Sequence, residues 1–565
     1  MTLSKNLHWF VCIIFLFSCA RQTAPTGGPK DTIPPVLLRS IPQNEALNFK
    51  GNQIELQFSE DVILNTPKEQ LIVTPTISKD YKITYRKNTV VLTLDEPLQD
   101  STTYTFNFRE AVQDITEKNP VRNLQLALST GSYIDSLSID GTVYNILRGK
   151  PVKDATVALH IENDTFNIFQ HPTAYFTKTN QQGKFKISNL KPGNYFVYAF
   201  EDKNRNLVVN TRNEAYGFLG SYQTLQDTIS DLSIGILRLD ASPLKMTSAR
   251  PYNTYFNIRM TKNLRTFHLT AADSSDLSYT FGENNANIRV YKTTDLDSLA
   301  AHLTAYDSLD HSVDTTLYIK YLTREVTPEK FDLSLQSTSL LADKGLLEAT
   351  IIFTKPVKEI NFDSLSFQVD SVTNIKFTAH DLTWDPLLRK FSIRKNIDPA
   401  LYKTDANADA QPPRAPKPSL KSKAPEPTNQ LQLGLGAFIS IENDSSKRIS
   451  QALKPMHEQD LSVINIDIRT KEKHFIVELV DANFKVIQQQ HDNHHVRFQN
   501  VVPGEYQIRL IIDRNGNGAW DPGNYFRHVE PEPIIYYRSA DGSTSIKGVK
   551  ANWEIGTDGE MFITY

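Results

Sequence analysis

Residues 54–62 read Ile54-Glu55-Leu56-Gln57-Phe58-Ser59-Glu60-Asp61-Val62, a strict apolar–polar alternation that ends in a polar break. A period of two marks a half-buried strand, because successive side chains point to opposite faces of a sheet. The alternation recurs at Lys82-Ile83-Thr84-Tyr85, Val91-Leu92-Thr93-Leu94 and Tyr104-Thr105-Phe106-Asn107-Phe108. Thr-, Tyr-, Phe- and Val-rich strands at roughly 10-residue spacing predict β-sandwiches. Leu296–Tyr306 and Ser445–Leu453 are among the few stretches that read as helical, and both are short. The expected fold class is all-β, several sandwiches in tandem with little helix.

The residues around this stretch carry a resemblance. Asp31-Thr32-Ile33-Pro34-Pro35-Val36 precedes it, Ser40-Ile41-Pro42-Gln43-Asn44 lies between, and Ser101-Thr102-Thr103-Tyr104-Thr105-Phe106 and Leu128-Ser129-Thr130-Gly131 follow. In this order the segment 33–131 resembles the bacterial Ig-like domain first named from an S-layer protein. The proline pair fixes an extended lead into the first strand and offers no ladder N–H.

Composition narrows the rest. The 565 residues carry 61 Lys+Arg against 64 Asp+Glu, a net charge of −3, so no basic excess points to nucleic acid. Hydrophobic residues at 39% suffice for ordinary cores, and the length suggests about three to five domains. Two cysteines exclude a disulfide scaffold and any multi-cysteine metal centre.

Both cysteines lie at the N-terminus. Trp9 to Phe17 is an apolar run after Lys5, too short to span a bilayer, and it reads as a secretory signal. It ends Leu16-Phe17-Ser18-Cys19, which resembles the bacterial lipobox despite the bulky Phe17. The resemblance implies cleavage before Cys19 and acylation of its thiol and new amine. Cys12 would leave with the signal. Several acyl chains anchor a protein where one would not. Outer-membrane lipid is thus an expected partner, with the periplasmic or outer face left open. Pro25-Thr26-Gly27-Gly28-Pro29-Lys30-Asp31 resembles the tether of a family of Bacteroidota surface lipoproteins with the same Ig-like domain.

Beyond residue 131, Ser138-Ile139-Asp140-Gly141-Thr142-Val143, Gly183-Lys184-Phe185-Lys186-Ile187 and Pro192-Gly193-Asn194-Tyr195 resemble a prealbumin-like or collagen-adhesin B-type module. That module recurs, gap-free, 311 residues on: Gly193 pairs with Gly504, Asn189 with Asn500, Asn213 with Asn524. Leu347–Val357 echoes Ile54–Val62, which predicts a second Ig-like sandwich. The expected map is signal 1–18, tether 19–32, Ig-like domain 33–131, prealbumin-like sandwich 135–240, divergent β-module 241–325, second Ig-like sandwich 326–402, Pro/Lys/Ala-rich linker or loop 403–430, connecting segment 431–460, and C-terminal prealbumin-like sandwich 461–565. Trp520-Asp521-Pro522-Gly523-Asn524-Tyr525 and Ala551-Asn552-Trp553 resemble the C-terminal half of the same lipoprotein family.

Each repeat has an oxygen-rich loop seven residues after its Tyr. Hard Ca²⁺ takes six to eight oxygens, and alternate loop positions can wrap one ion. In the C-terminal copy these are Asp513, Asn515, Asn517, the Ala519 carbonyl and Asp521, with Asn524 at position 12 and Gly518 at the sharp turn. In the first copy they are Asp202, Asn204, Asn206, Val208 and Asn210, with Leu207 in the glycine position and Asp202 the single negative charge unless Glu214 joins. The alternative is a metal-free Asx turn. No cofactor is required, and structural calcium is the one the loops would take.

No nucleophile elbow, zinc-protease helix or phosphate loop occurs. His491-Asp492-Asn493-His494-His495 reads as a polar hairpin rather than a metal site. The expectation is a non-enzymatic, lipid-anchored envelope protein acting as stalk, scaffold or binding module, with an unknown envelope protein or glycan as partner and no nucleic acid. The alternatives are a glycan- or protein-binding adhesin and a carboxylate-dependent hydrolase.

Overall fold

The computed structural model describes residues 31–77, 80–163, 165–274, 276–293, 298–402 and 429–565. The signal, Cys19 and residues 403–428 of the proline-rich segment lie outside these.

Gln53–Phe58 is a strand that buries Ile54, Leu56 and Phe58 and exposes Gln53, Glu55 and Gln57. It pairs antiparallel with Thr89–Leu94 in a four-stranded sheet, Leu37–Ile41, Gln53–Phe58, Thr89–Leu94, Tyr81–Arg86. A second sheet of Ile72–Thr74, Thr103–Asn107 and Gln125–Ser129 closes over it. Phe58, Tyr104, Phe106 and Phe108 fill the space between. Each such side chain contributes roughly 1.5–3 kcal/mol by leaving water.

A second sandwich repeats this strand order. Leu333–Leu341, Leu346–Phe353, Lys390–Asn396 and Leu382–Asp385 form one sheet. Asn374–Lys376, Leu365–Gln368, Gln430–Leu433 and Ile449–Ala452 form the other. Even the two-stranded side pairs correspond: Val62–Leu64 with Val112–Asp114, and Val357–Ile360 with Phe438–Ser440. Residues 431–460, expected as a connecting segment, therefore supply three strands, and Leu431, Leu433, Phe438 and Leu453 enter the core. The proline-rich insertion separates these short strands from their partners in sequence, which hid them.

Both stretches expected as helices carry strands instead. Ser298–Tyr306 alternates exposed and buried along its length, and Ile449–Ala452 is a short strand of the second sandwich. In 298–306 the apolar Leu299, Ala301, Leu303 and Ala305 recur every second residue, a strand period that outweighs the helix propensity of Leu and Ala. Ser298–Tyr306 belongs to a middle sandwich. There Thr266–Ala271, Ser298–Tyr306 and Ser312–Lys320 face a sheet of Met246–Tyr252, Tyr255–Met260, Asn287–Tyr291 and Ser278–Phe281.

The two copies of the repeat share one topology. Leu137–Asn145 pairs with Lys184–Leu190 on one side and, in parallel, with Ile229–Ile236 on the other. Ser462–Arg469 pairs likewise with His495–Val501 and, in parallel, with Glu554–Ile555 and Phe562–Thr564. The second sheets are built on Thr156–Ile161 with Gly193–Phe200, and on Phe475–Asp481 with Gly504–Ile512.

The sandwiches do not run out as a line. Thr105 Oγ1 donates to Asn189 Oδ1 (2.9 Å) between the first sandwich and the first repeat. Lys262 Nζ donates to the Asp240 carbonyl (2.8 Å) between that repeat and the middle sandwich. Arg389 Nη1 donates to Thr280 Oγ1 (3.0 Å) between the middle and second Ig-like sandwiches. Lys344 Nζ donates to Gln499 Oε1 (3.3 Å) at the last junction. The second repeat then returns to the first. Ile476, Ile511, Ile534 and Tyr536 pack on Ile146 and Leu237, and Arg538 Nη2 donates to the Gly149 carbonyl (3.0 Å).

Tyr525 seals the closure. It is 9% exposed and lies among Phe196, Phe218 and Leu309, so three sandwiches meet at one ring. The Ile168 N–H donates to its hydroxyl (3.3 Å), and Phe169 and Phe218 meet its ring edge-on at centroid distances of 5.0 and 5.5 Å. Gly220 N donates to Glu530 Oε1 (2.8 Å) beside it.

Candidate functional site

The two Asp/Asn loops follow the last residues of Gly193–Phe200 and Gly504–Ile512. Asp513 is 4% exposed. Its Oδ1 accepts from Asn517 N (3.1 Å) and its Oδ2 from Gly518 N (2.8 Å). Asn515 Oδ1 accepts from Asn517 N (3.0 Å), and Asn517 Oδ1 accepts from Ala519 N (2.7 Å). Gly518 has φ 77°, the left-handed region that a Cβ disfavours. The first copy repeats the pattern. Asp202 Oδ1 accepts from Asn206 N (3.1 Å), its Oδ2 from Leu207 N (3.3 Å), and Asn206 Oδ1 from Val208 N (2.9 Å). Asn204 Oδ1 accepts from Asn206 N (3.3 Å). Leu207 has φ 59°, so the loop holds its shape there at a cost of about 1 kcal/mol.

A buried glutamate closes each loop. Glu532 Oε1 accepts from Arg514 N (2.7 Å) and Oε2 from Asp521 N (2.9 Å). Glu214 Oε1 accepts from Lys203 N (2.9 Å) and Oε2 from Asn210 N (2.7 Å). The gap-free offset conceals this equivalence, because twelve residues separate Asp202 from Glu214 and nineteen separate Asp513 from Glu532. The extra seven residues form the segment that carries Tyr525. Burial pushes the Glu532 carboxyl up, and Asp521 and Asp513 add to it against the two N–H bonds.

The structure departs from the expected donor set at Asn524. Its Nδ2 donates to the Leu309 carbonyl (2.9 Å) and its Oδ1 accepts from Arg527 N (3.2 Å), so it serves the three-sandwich junction, not the loop. Asn515 and Asn517 each turn Nδ2 toward Asp521 Oδ2, at 2.5 and 2.8 Å. A calcium ion needs oxygens there. As folded, the loop is a hydrogen-bonded brace built on Asp513 and Asp521. Asp513→Ala is accordingly expected to cost about 2 kcal/mol by orphaning two loop N–H groups. Thermal unfolding in chelator and in calcium should show the same loss. A rise in melting temperature with calcium in the parent, absent from the variant, would instead assign the loop a cation.

The histidines are spent separately. Residues 491–495 turn between the strands Val486–His491 and His495–Val501. His494 Nδ1 meets the Ile468 carbonyl (2.9 Å), while His495 Nδ1 meets Asp467 (3.0 Å). Asp492 Oδ1 accepts from Phe475 N (2.8 Å), and its Oδ2 faces His474 (3.2 Å). Cys19 lies outside the described residues. No helix among the described residues is long and apolar enough to cross a membrane.

Residues 31–130 match the family described as the bacterial Ig-like domain. No curated protein matches the chain. Among solved structures, an L,D-transpeptidase from Mycobacterium smegmatis shares 10% identity over 36% of this chain and 90% of its own, with a TM-score of 0.14. The S-layer protein rSbsC shares 10% over 85% of this chain and 65% of its own, TM-score 0.13. BcpA, the major pilin subunit of Bacillus cereus, shares 10% over 76% and 97%, TM-score 0.13. Scores this low carry no argument about arrangement or activity. The strands and the family match together define the class: an all-β protein of tandem Ig-like sandwiches.

Proposed function

We propose that the chain is a lipid-anchored, non-enzymatic scaffold of the bacterial cell envelope. The observation that carries the scaffold reading is the closure at Tyr525. A stalk gains length by keeping its modules apart, whereas here the last sandwich buries its outer face on the first repeat. The result suits a compact body that presents fixed surfaces. The anchor rests on the Leu16-Phe17-Ser18-Cys19 motif and the Pro/Gly tether behind it. Acyl chains at Cys19 would hold the body at the outer membrane through about 0.8 kcal/mol per buried CH₂. Mass spectrometry of the mature N-terminus is expected to find acylated Cys19 as the first residue. An intact signal or a free thiol would remove the anchor and leave the scaffold.

A further inference from the structure

The pairing of an Ig-like sandwich with a repeat occurs twice in this chain, and the two junctions differ. In the first, Asn189 is consumed: its Oδ1 accepts from Thr105 and its Nδ2 donates to the Asp135 carbonyl (2.9 Å). Its counterpart Asn500 has the same left-handed backbone, φ 57° against 60°. Yet Asn500 lines an open cleft of about 450 Å³ between the second Ig-like sandwich and the second repeat.

That cleft has a distinct chemistry. Trp553 lines it and is 46% exposed. Lys550 Nζ stands 5.2 Å from the indole centroid and steadies the ring. The Trp553 backbone is pinned as well, its carbonyl accepting from Val463 N (2.8 Å). The side chains of Asn500 and Asn552 have no hydrogen-bond partner among the described residues. Gln499 stands beside them on the cleft wall. The charged groups there cancel, Lys344 and Arg497 against Glu458 and Glu554. Arg497 is already tied to Glu554, and to Asn465 Oδ1 at 3.2 Å.

We propose that this cleft binds a neutral saccharide. A pyranose has an apolar face that can lie on an indole, and a rim of hydroxyls that both donate and accept. Carboxamides match that rim, because each offers a carbonyl acceptor and an NH₂ donor. An anionic ligand would call for more positive charge than Lys550 alone adds to this balanced lining. Its volume falls within the roughly 300–1,000 Å³ of small-ligand sites. The inference holds whether or not Cys19 carries lipid.

The test uses the full chain, titrated by calorimetry and by tryptophan fluorescence with neutral hexasaccharides of β-1,4-glucose, β-1,4-xylose, β-1,4-mannose and α-1,4-glucose. Polygalacturonate serves as the anionic counterpart. At least one neutral hexasaccharide is expected to bind. Trp553→Ala should weaken it about tenfold or more, Trp553→Phe should retain part of the affinity, and Asn552→Ala should weaken it without quenching the fluorescence. Unchanged melting temperatures would show that the variants fold. Failure of all four neutral ligands, full binding by Trp553→Ala, or tighter binding of the anionic polymer would overturn the proposal.

Discussion

Tyr525→Ala is expected to destabilise the protein by about 3–5 kcal/mol, the usual cost of truncating a buried aromatic residue. The loss should appear in two places that are far apart in sequence. Tyr525 belongs to the second repeat, but its ring is buried against Phe196 and Phe218 of the first and Leu309 of the middle sandwich. Urea unfolding should therefore show lower stability, and amide exchange should accelerate at Ile168, whose N–H donates to the lost hydroxyl. Tyr525→Phe separates the two contributions, because it keeps the ring contacts and removes only the hydroxyl, worth about 1 kcal/mol. Equal stability of Tyr525→Ala and parent would show that the three sandwiches do not meet at this residue.

Lys355→Ala is expected to cost about 3 kcal/mol. Lys355 is 1% exposed and donates to Glu442 and to Asp444 Oδ2 (2.6 Å). Removing the cation leaves two carboxylates facing one another, and breaking a buried pair from one side costs about 3–5 kcal/mol. The lower figure is apt because the Asp444 side chain is 38% exposed and solvent screens it. Adding Glu442→Gln and Asp444→Asn should recover most of the loss. The pH dependence has a definite sign. Burial alone would push the Lys355 ammonium down, but its hydrogen bonds to Asp444 and Glu442 outweigh burial and raise it. A raised lysine contributes stability that is fully present below the unfolded value near 10.4 and is lost as pH rises through the folded value. The stability gap between the parent and Lys355→Met should thus be full near neutral pH and narrow as pH rises above about 10.4, and a gap that does not change with pH would contradict the triad.

Lys355 also shows how the two Ig-like sandwiches diverged. Ser59 Oγ accepts from Val36 N (3.0 Å), as Thr354 Oγ1 accepts from Asp332 N (3.0 Å), so the strand ends correspond. One residue further on, Glu60 stands where Lys355 stands. Burial, then Asp114 and Asp31, pushes the Glu60 carboxyl up. The position keeps its charged neighbours in both copies and changes the sign of its own charge.

The strands were legible because burial on one face writes a period of two, as in Gln53–Phe58. The repeat was legible because Pro-Gly-x-Tyr and the Asp loop return at a constant offset. The closure was not read from the sequence, although it left a signal there of another kind. Phe196-Val197-Tyr198-Ala199-Phe200 and Phe475-Ile476-Val477-Glu478-Leu479-Val480 do not alternate, and every residue in both runs is buried. A strand buried on both faces needs a cover on each. Here Tyr195, Val197 and Ala199 face the inner core while Phe196, Tyr198 and Phe200 meet the junction around Tyr525. Glu478, alone among apolar neighbours, is held by Arg509 Nε at 2.5 Å. What the sequence conceals is the partner for each outer face, since that depends on contacts across hundreds of residues. It likewise hides strands such as Gln430–Leu433, which has four residues and stands beyond a long insertion.

The closed arrangement itself is tested most directly by a distance between the repeats. Arg148 of the first and Phe484 of the second approach within 5.8 Å, guanidinium to ring centroid. Spin labels at Arg148→Cys and the neighbouring Lys485→Cys, with Cys12 and Cys19 replaced by alanine, report that gap by dipolar spectroscopy. A single short, narrow distance is predicted in the monomer. A long and broad distribution would contradict the closure and return the chain to an extended string of sandwiches.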